Sequence, residues 1–383
     1  DSDKSISIRG FLIGAISENI SSIKNALESE DVFSTINCLR ELGVKIKKIK
    51  PRNYNIFGKG LGSLVARKGL VLNFGNSGTL ARLLIGILST TPNIEVKVKG
   101  DSSLNKRNMK ELIKILSNFG ASFLPLKKKN FPIDLISSEM PIGIEYKAGV
   151  SAQLKSAVIL AGLNSFGNTD VIEDTKSRDH TENMLLANKS VIKVKSDPKK
   201  NIRIFGKRQL RQLDVSVPGD PSSAAFFTAL TLLNNDSILK IKNVCLNQTR
   251  TGFYYLLKKH GAKINYKNLK KQNNEVRGDI LIKNSKLRPI KANKSYYSKA
   301  TDEYPIMFVM AALIKGTSVF EGIKDLANKE SNRIIEMQKI LKQIGVKSIS
   351  SKNSLKIYGK GIFKAKNKKI FVPNLGDHRI CMS

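Results

Sequence analysis

Apolar residues recur along the chain in two alternating patterns. In the first, an amphipathic stretch runs into a Gly and then a short alternating segment. The copies are Leu39-Arg-Glu-Leu-Gly43-Val-Lys-Ile, Leu116-Ser-Asn-Phe-Gly120-Ala-Ser-Phe, Leu257-Lys-Lys-His-Gly261-Ala-Lys-Ile and Leu341-Lys-Gln-Ile-Gly345-Val-Lys-Ser. Met109, Leu112, Ile113, Leu116 and Phe119 form one helical stripe, and Ile334, Met337, Leu341 and Ile344 another. The pattern predicts helices closed by a Gly in the left-handed conformation, each leading into a strand. A degenerate copy without the Gly is expected at Met184–Val194.

In the second pattern, a small polar or charged cluster opens an almost wholly apolar helix. The copies begin at Lys4, Ser77, Ser151, Ser222, Asp302 and Asp377, spaced by 73, 74, 71, 80 and 75 residues. A fixed period of this size marks a repeat architecture. A helix apolar on all sides is a buried helix. Between them lie β-branched alternating stretches such as Ile94-Glu-Val-Lys-Val-Lys99. The unit therefore reads as strands with one buried and one outer helix, repeated six times, an α/β fold.

The polar ends of the buried helices carry the candidate chemistry. Lys4, Ser5, Arg9, Asn76, Thr79, Arg82, Ser151, Gln153, Lys155 and Arg379 crowd them. Ser, Thr and Asn there are ordinary helix caps. Lys and Arg are not, because a helix N-terminus carries partial positive charge. Cations placed against the dipole imply a bound anion, phosphate or carboxylate, shared between helix ends.

Composition changes this picture little. The 383 residues are 41% apolar and 25% charged, globular proportions with room for two or three domains. No apolar run approaches the about 18–20 residues of a membrane helix. Three widely spaced cysteines, Cys38, Cys245 and Cys381, fit a reducing compartment, and neither they nor the three His show metal-ligand spacing. The net charge of +35 is the outlying number. Of 66 basic residues 51 are Lys, and the clusters Lys45–Lys50, Lys127–Lys129, Lys199–Lys200 and Lys270–Lys271 lack interleaved aromatics. They read as solvated surface and compositional drift, not as a nucleic-acid groove. Gly58-Lys-Gly-Leu-Gly62 reads as a hairpin turn, since no dinucleotide-type helix follows it.

In order, the chain presents Asp3-Lys-Ser-Ile-Ser-Ile-Arg9, Gly75-Asn-Ser-Gly-Thr79 with Arg82, Gly100-Asp-Ser-Ser-Leu-Asn-Lys-Arg107 and Ser151-Ala-Gln-Leu-Lys-Ser156. There follow Ser177-Arg-Asp-His-Thr181, Val217-Pro-Gly-Asp-Pro-Ser-Ser-Ala-Ala225, Asp302-Glu-Tyr-Pro305, Lys329-Glu-Ser-Asn-Arg333 and Asp377-His-Arg379. These motifs resemble the 5-enolpyruvylshikimate-3-phosphate synthase family, in its second bacterial class, from end to end. The resemblance implies a two-lobed, inverse αβ-barrel-like enolpyruvyl transferase fold of six βαβαββ-type repeats, the sixth truncated. One lobe, on the shikimate phosphate side, is expected at 1–217 and the second at 218–383, with buried helices aimed at an interlobe cleft. The implied reaction moves the enolpyruvyl group of phosphoenolpyruvate to the 5-hydroxyl of shikimate 3-phosphate and releases phosphate. No metal or organic cofactor, nucleic acid or membrane is implied, and a cytoplasmic monomer is expected.

By the same resemblance, Lys4, Gly78, Arg107, Gln153, Arg333 and Arg379 hold phosphoenolpyruvate. Lys4, Ser5, Arg9, Ser151, Ala152, Gln153, Arg178, Asp302 and Lys329 hold shikimate 3-phosphate. Asp302 is the expected base on the 5-hydroxyl and Glu330 the proton donor to the methylene carbon, with Lys4 assisting. Without the resemblance, Asp302 reads as a helix cap and Glu330 as an outward charge. Asn108, Ala152 and Leu83 depart from commoner family residues. Gly78, with only a hydrogen for a side chain, implies room for glyphosate. A strand ahead of Lys4 is expected but not present, and about 50 further residues are expected after Ser383 on the repeat period.

Two other readings stand beside this one. UDP-N-acetylglucosamine enolpyruvyl transferases use a catalytic Cys that Gly100–Arg107 lacks. An RNA-gripping repeat protein, akin to RNA 3′-terminal phosphate cyclase, would need a nucleophilic His. His180, His260 and His378 lie in or beside other motifs.

Overall fold

A computed structural model describes residues 1–195, 200–361, 369–373 and 375–383. The chain divides into two compact units. The first contains Asp1–Pro218 together with Gln272–Glu275; the second contains Gly219–Lys271 and Val276–Ser383.

In the first unit the elements follow the predicted repeat. The first copy is α1 (Lys4–Ile16), β1 (Ile20–Lys24), α2 (Glu30–Glu41), β2 (Lys45–Lys50) and β3 (Asn53–Phe57). The second is β4 (Val71–Asn73), α3 (Gly78–Thr90), β5 (Glu95–Lys99), α4 (Lys110–Ser117), β6 (Ser122–Leu124) and β7 (Ile133–Ile136). The third is β8 (Glu145–Ala148), α5 (Ala152–Leu163), β9 (Asn168–Glu173), α6 (His180–Leu185), β10 (Ile192–Lys195) and β11 (Lys200–Phe205), and β12 (Asp214–Ser216) closes the unit. The three sheets share one plan, β12-β1-β3-β2, β4-β5-β7-β6 and β10-β11-β9-β8, each with one parallel and two antiparallel pairings.

The strand parallel to β1 is β12, about 190 residues further along the chain. A parallel partner can come from anywhere in the chain, so local pattern does not reveal it. One expectation is corrected, at Gly58–Gly62. It joins β3 to the next sheet and turns no hairpin. A Cβ on Gly58 would lie 2.1 Å from the Ser17 carbonyl oxygen, so that Gly exists for close backbone approach.

Helices α1, α3 and α5 are buried along nearly their whole length, as the apolar pattern predicts. Asp3, Ser77 and Ser151 cap them, accepting from the amides of Ile6, Leu80 and Leu154. Helices α3 and α5 approach backbone to backbone at Gly86, where a Cβ would sit 2.6 Å from the Ala157 carbonyl oxygen.

The second unit contains α7 (Pro221–Leu233), β13 (Ile238–Cys245), α8 (Gly252–Lys259), all but the last residue of β14 (Lys263–Gln272), all but the first of β15 (Glu275–Lys283) and β16 (Lys291–Ala292). After these come α9 (Tyr304–Leu313), β17 (Gly316–Glu321), α10 (Arg333–Gln343), β18 (Ser348–Ser351), β19 (Ser354–Gly359) and α11 (His378–Cys381). Its sheets run β13-β15-β14 and β16-β17-β19-β18. An aromatic group of Tyr304, Phe308 and Phe320 meets edge to face in its core.

The predicted helix-closing glycines hold φ of 82° at Gly43, 94° at Gly120, 103° at Gly261 and 76° at Gly345. The degenerate copy is the six-residue α6. The lysine clusters have a structural place. Lys45–Lys50 forms β2 and Lys270–Lys271 lies on β14, both at sheet edges, while Lys127–Lys129 follows edge strand β6. Lysines on an edge discourage pairing with another chain. Lys199 lies outside the described residues. Among the described residues no helix is long and apolar enough to cross a membrane.

Candidate active site

Three helix starts of the first unit carry its candidate residues. Lys4, on the first turn of α1, lies 2.7 Å from Asp31 Oδ2 on the first turn of α2. Arg9, one turn further along α1, is almost wholly buried. Its NH1 donates to the Ser5 carbonyl at 3.1 Å, its Nε to Thr181 Oγ1 at 2.9 Å and its NH2 to Ser156 Oγ at 3.1 Å. Arg9 therefore ties α1 to α5 and α6, and its guanidinium is already engaged with protein oxygens.

Residues predicted for phosphoenolpyruvate gather at the start of α3. Arg82 NH1 donates to the Gly78 carbonyl at 3.0 Å and to Gln153 Oε1 at 2.9 Å. Gln153 Nε2 in turn donates to Thr79 Oγ1 at 2.9 Å. A Cβ on Gly78 would lie 2.6 Å from Arg107 NH1 and 2.9 Å from Arg82 NH1. Gly78, Arg107 and Gln153 are thus brought together, with Arg82 between them. Arg82 stood in the motif without a role, and only the fold shows it joining α3 to α5. Ser151 and Ala152 open α5 beside Gln153. Arg178 lies half-buried in the segment joining β9 to α6.

In the second unit, Asp302, Glu330 and Asp377 surround one guanidinium, that of Arg333, which is 2% exposed. Its Nε and NH2 donate to Asp377 Oδ2 and Oδ1 at 2.9 and 3.2 Å, its NH2 also to Glu330 Oε2 at 2.8 Å, and its NH1 lies 3.6 Å from Asp302 Oδ1. Burial pulls the Arg333 guanidinium down, but the three carboxylates outweigh it and hold the group above its ordinary value. Asp377 also accepts from Ser331 Oγ at 2.9 Å and from the Arg379 amide at 3.1 Å. It holds the Arg333 guanidinium and the Arg379 backbone, two of the three arginines predicted for phosphoenolpyruvate. Lys329 Nζ lies 2.8 Å from Asp325 Oδ2, which also accepts from the buried Tyr297 hydroxyl. Burial raises the Asp325 carboxyl, but Lys329 and Tyr297 outweigh it and hold it below its usual range.

Two local expectations change. Asp302 is not a helix cap: the capping position of α9 is Glu303, whose side chain makes no cap bond. Nor is Glu330 an outward charge, since it turns back onto Arg333. Two of the cations set against the helix dipole also have carboxylates beside them within the chain: Lys4 faces Asp31, and the fully buried Lys155 faces Glu173 and Glu182 at 2.9 and 2.7 Å. No local signal marks Asp31, Glu173 or Glu182, because each reads as an ordinary carboxylate on its own element.

Comparison with known proteins places the chain in a family. A family model for EPSP synthase (3-phosphoshikimate 1-carboxyvinyltransferase) matches residues 1–383. The 3-phosphoshikimate 1-carboxyvinyltransferase of Zymomonas mobilis is 39% identical over 386 residues, covering 100% of this chain and 84% of the relative. That of Bacillus subtilis is 38% identical over 382 residues, covering 99% and 87%. The EPSP synthase structure from Acinetobacter baumannii superposes with a TM-score of 0.82 at 35% identity, over 100% of this chain and 86% of that one. The enolpyruvyl transferase NikO from Streptomyces tendae has a TM-score of 0.71 at 13% identity, over 94% and 80%, a likeness of fold alone. The two-lobed α/β enolpyruvyl transferase architecture is therefore common to them, and this chain belongs to the EPSP synthase (3-phosphoshikimate 1-carboxyvinyltransferase) family.

Proposed function

We infer that this chain transfers the enolpyruvyl group of phosphoenolpyruvate to the 5-hydroxyl of shikimate 3-phosphate, releasing phosphate, in the shikimate pathway to aromatic amino acids. The observation that carries the reading, beside family membership, is the pair of carboxylates, Asp302 and Glu330, on one buried guanidinium. Addition needs one group to take a proton from the attacking hydroxyl and another to give one to the methylene carbon. Asp302 takes the hydroxyl proton as the oxygen bonds to C2. Glu330 delivers a proton to the methylene, making it a methyl. Elimination returns a methyl proton to Glu330 as the C2–phosphate oxygen bond breaks and the departing phosphate takes the proton held by Asp302, leaving the enol ether, hydrogen phosphate and both carboxyl groups in their starting states. Lys4, held by Asp31, assists as a cation.

Both substrates are polyanions, and bidentate arginines suit them. Lys4, Gly78, Arg107 and Gln153 of the first unit, with Arg333 and Arg379 of the second, are assigned to phosphoenolpyruvate. Lys4, Ser5, Arg9, Ser151, Ala152, Gln153 and Arg178, with Asp302 and Lys329, are assigned to shikimate 3-phosphate. The first unit is thus the shikimate phosphate side. The reading is of a cytoplasmic monomer that acts without nucleic acid. Among the described residues no group of His, Cys, Asp and Glu could hold a metal ion.

The test is phosphate release. Phosphate is expected only when both substrates are present. Release from phosphoenolpyruvate alone, or a salt-sensitive RNA shift at submicromolar protein with no phosphate release, would replace this reading. Glyphosate is expected to inhibit, in competition with phosphoenolpyruvate; full activity at saturating glyphosate contradicts the Gly78 argument. In Gly78→Ala the new methyl must displace the Arg107 and Arg82 guanidinium groups. KM for phosphoenolpyruvate should rise by about tenfold, with glyphosate inhibition weakened at least as much.

A further inference from the structure

Lys155 occupies the first turn and a half of α5, two residues beyond Gln153, and is fully buried. Its ammonium lies 2.9 Å from Glu173 Oε1 and 2.7 Å from Glu182 Oε1, and both carboxylates are buried as well. None of the three has a part in the chemistry above. Burying one cation between two carboxylates is a poor way to stabilise a core, since well-packed apolar residues serve as well or better. The cluster is better explained by what it holds.

Glu173 is the last residue of β9. Its Oε1 accepts from the Ser177 amide at 3.1 Å and from Ser177 Oγ at 2.6 Å. Ser177 immediately precedes Arg178. On the other side of Arg178, His180 Nδ1 lies 2.7 Å from Glu275 Oε1. Arg178 thus stands between two anchored residues. Lys155 joins the upstream anchor to the same helix start that carries Ser151, Ala152 and Gln153.

We propose that Glu173, held by Lys155, is a positioning residue for shikimate 3-phosphate: it sets the Ser177–Arg178 segment against the start of α5. This rests on the assignment of Arg178 to that substrate. Two substitutions separate reach from charge. Glu173→Asp keeps the charge beside Lys155 but draws the carboxylate back by one methylene. Glu173→Gln keeps the reach and an acceptor oxygen for Ser177 but removes the charge.

In Glu173→Asp, KM for shikimate 3-phosphate is expected to rise by about tenfold, with KM for phosphoenolpyruvate and kcat within about twofold. Glu173→Gln should restore KM to within about threefold of the parent, and the Ser177 amide should exchange hydrogen faster in the Asp variant only. An unchanged KM in the Asp variant, or an equal rise for both substrates, overturns the proposal. So does the reverse pattern, a benign Asp and a harmful Gln, which would make the cluster a matter of charge balance. Should the Asp variant not fold, Ser177→Ala removes the hydroxyl bond alone and should raise the same KM by about threefold; no rise overturns the proposal. Arg178→Ala is run beside them. If it leaves KM for shikimate 3-phosphate unchanged, the assignment of Arg178 fails, and the proposal with it. If it raises KM and Glu173→Asp does not, only the positioning role fails.

Discussion

Asp302→Asn is expected to lower kcat by about 10²- to 10⁴-fold, the usual contribution of a general base. Asn has nearly the shape of Asp, so binding of both substrates should persist. Only the ability to take a proton goes. Asp302 Oδ1 lies 3.6 Å from Arg333 NH1, an ion-pair distance and too long for a direct hydrogen bond. The variant should still bind shikimate 3-phosphate in a calorimeter, since Asn keeps an oxygen at the same reach, and show almost no phosphate release. Near-normal turnover removes Asp302 from the mechanism. Weak binding together with low turnover leaves it the binding role alone.

Arg333→Met should act on stability and on catalysis together. The guanidinium is the charge partner shared by Glu330, Asp302 and the fully buried Asp377. Breaking a buried pair by removing one partner costs about 3–5 kcal/mol, because the remaining charge is left in a poor medium. That loss should appear as a lower urea midpoint. Arg333→Lys restores a charge but not the two-pronged contact. It should therefore recover part of the stability while KM for phosphoenolpyruvate stays raised by about tenfold or more. A Met variant as stable as the parent, with an ordinary KM for phosphoenolpyruvate, would contradict both parts.

Much of the fold was legible because the chain states it repeatedly. Each buried helix opens on a polar marker, and four outer helices end on a Gly at positive φ. Local pattern suffices for such elements, since each is set by its own residues and their period. What was not legible depends on residues far apart in sequence. The pairing of β12 with β1 is one case. The partners of the cations are another. The sequence shows Lys4, Lys155 and Arg333 as cations, but not that Asp31, Glu173, Glu182 and Asp377 stand beside them. A sequence displays a charge but not its counter-charge. The family motifs supplied the candidate list, and the structure supplied its internal wiring, including the unassigned Arg82.

The contact of α3 with α5 at Gly86 also has a distant effect. Gly86 is eight residues along α3 from Gly78, about 12 Å at 1.5 Å per residue. The two helices are stiff, and at Gly86 their separation is set by backbone touching backbone, with no side chain to yield. One turn nearer their N-termini the helices carry Arg82 and Gln153, which meet at 2.9 Å. Gly86 thus serves as a gauge block, and the spacing it sets is read out at the helix starts. A bulkier residue there would alter the grip on substrate without adding or removing any group that touches it.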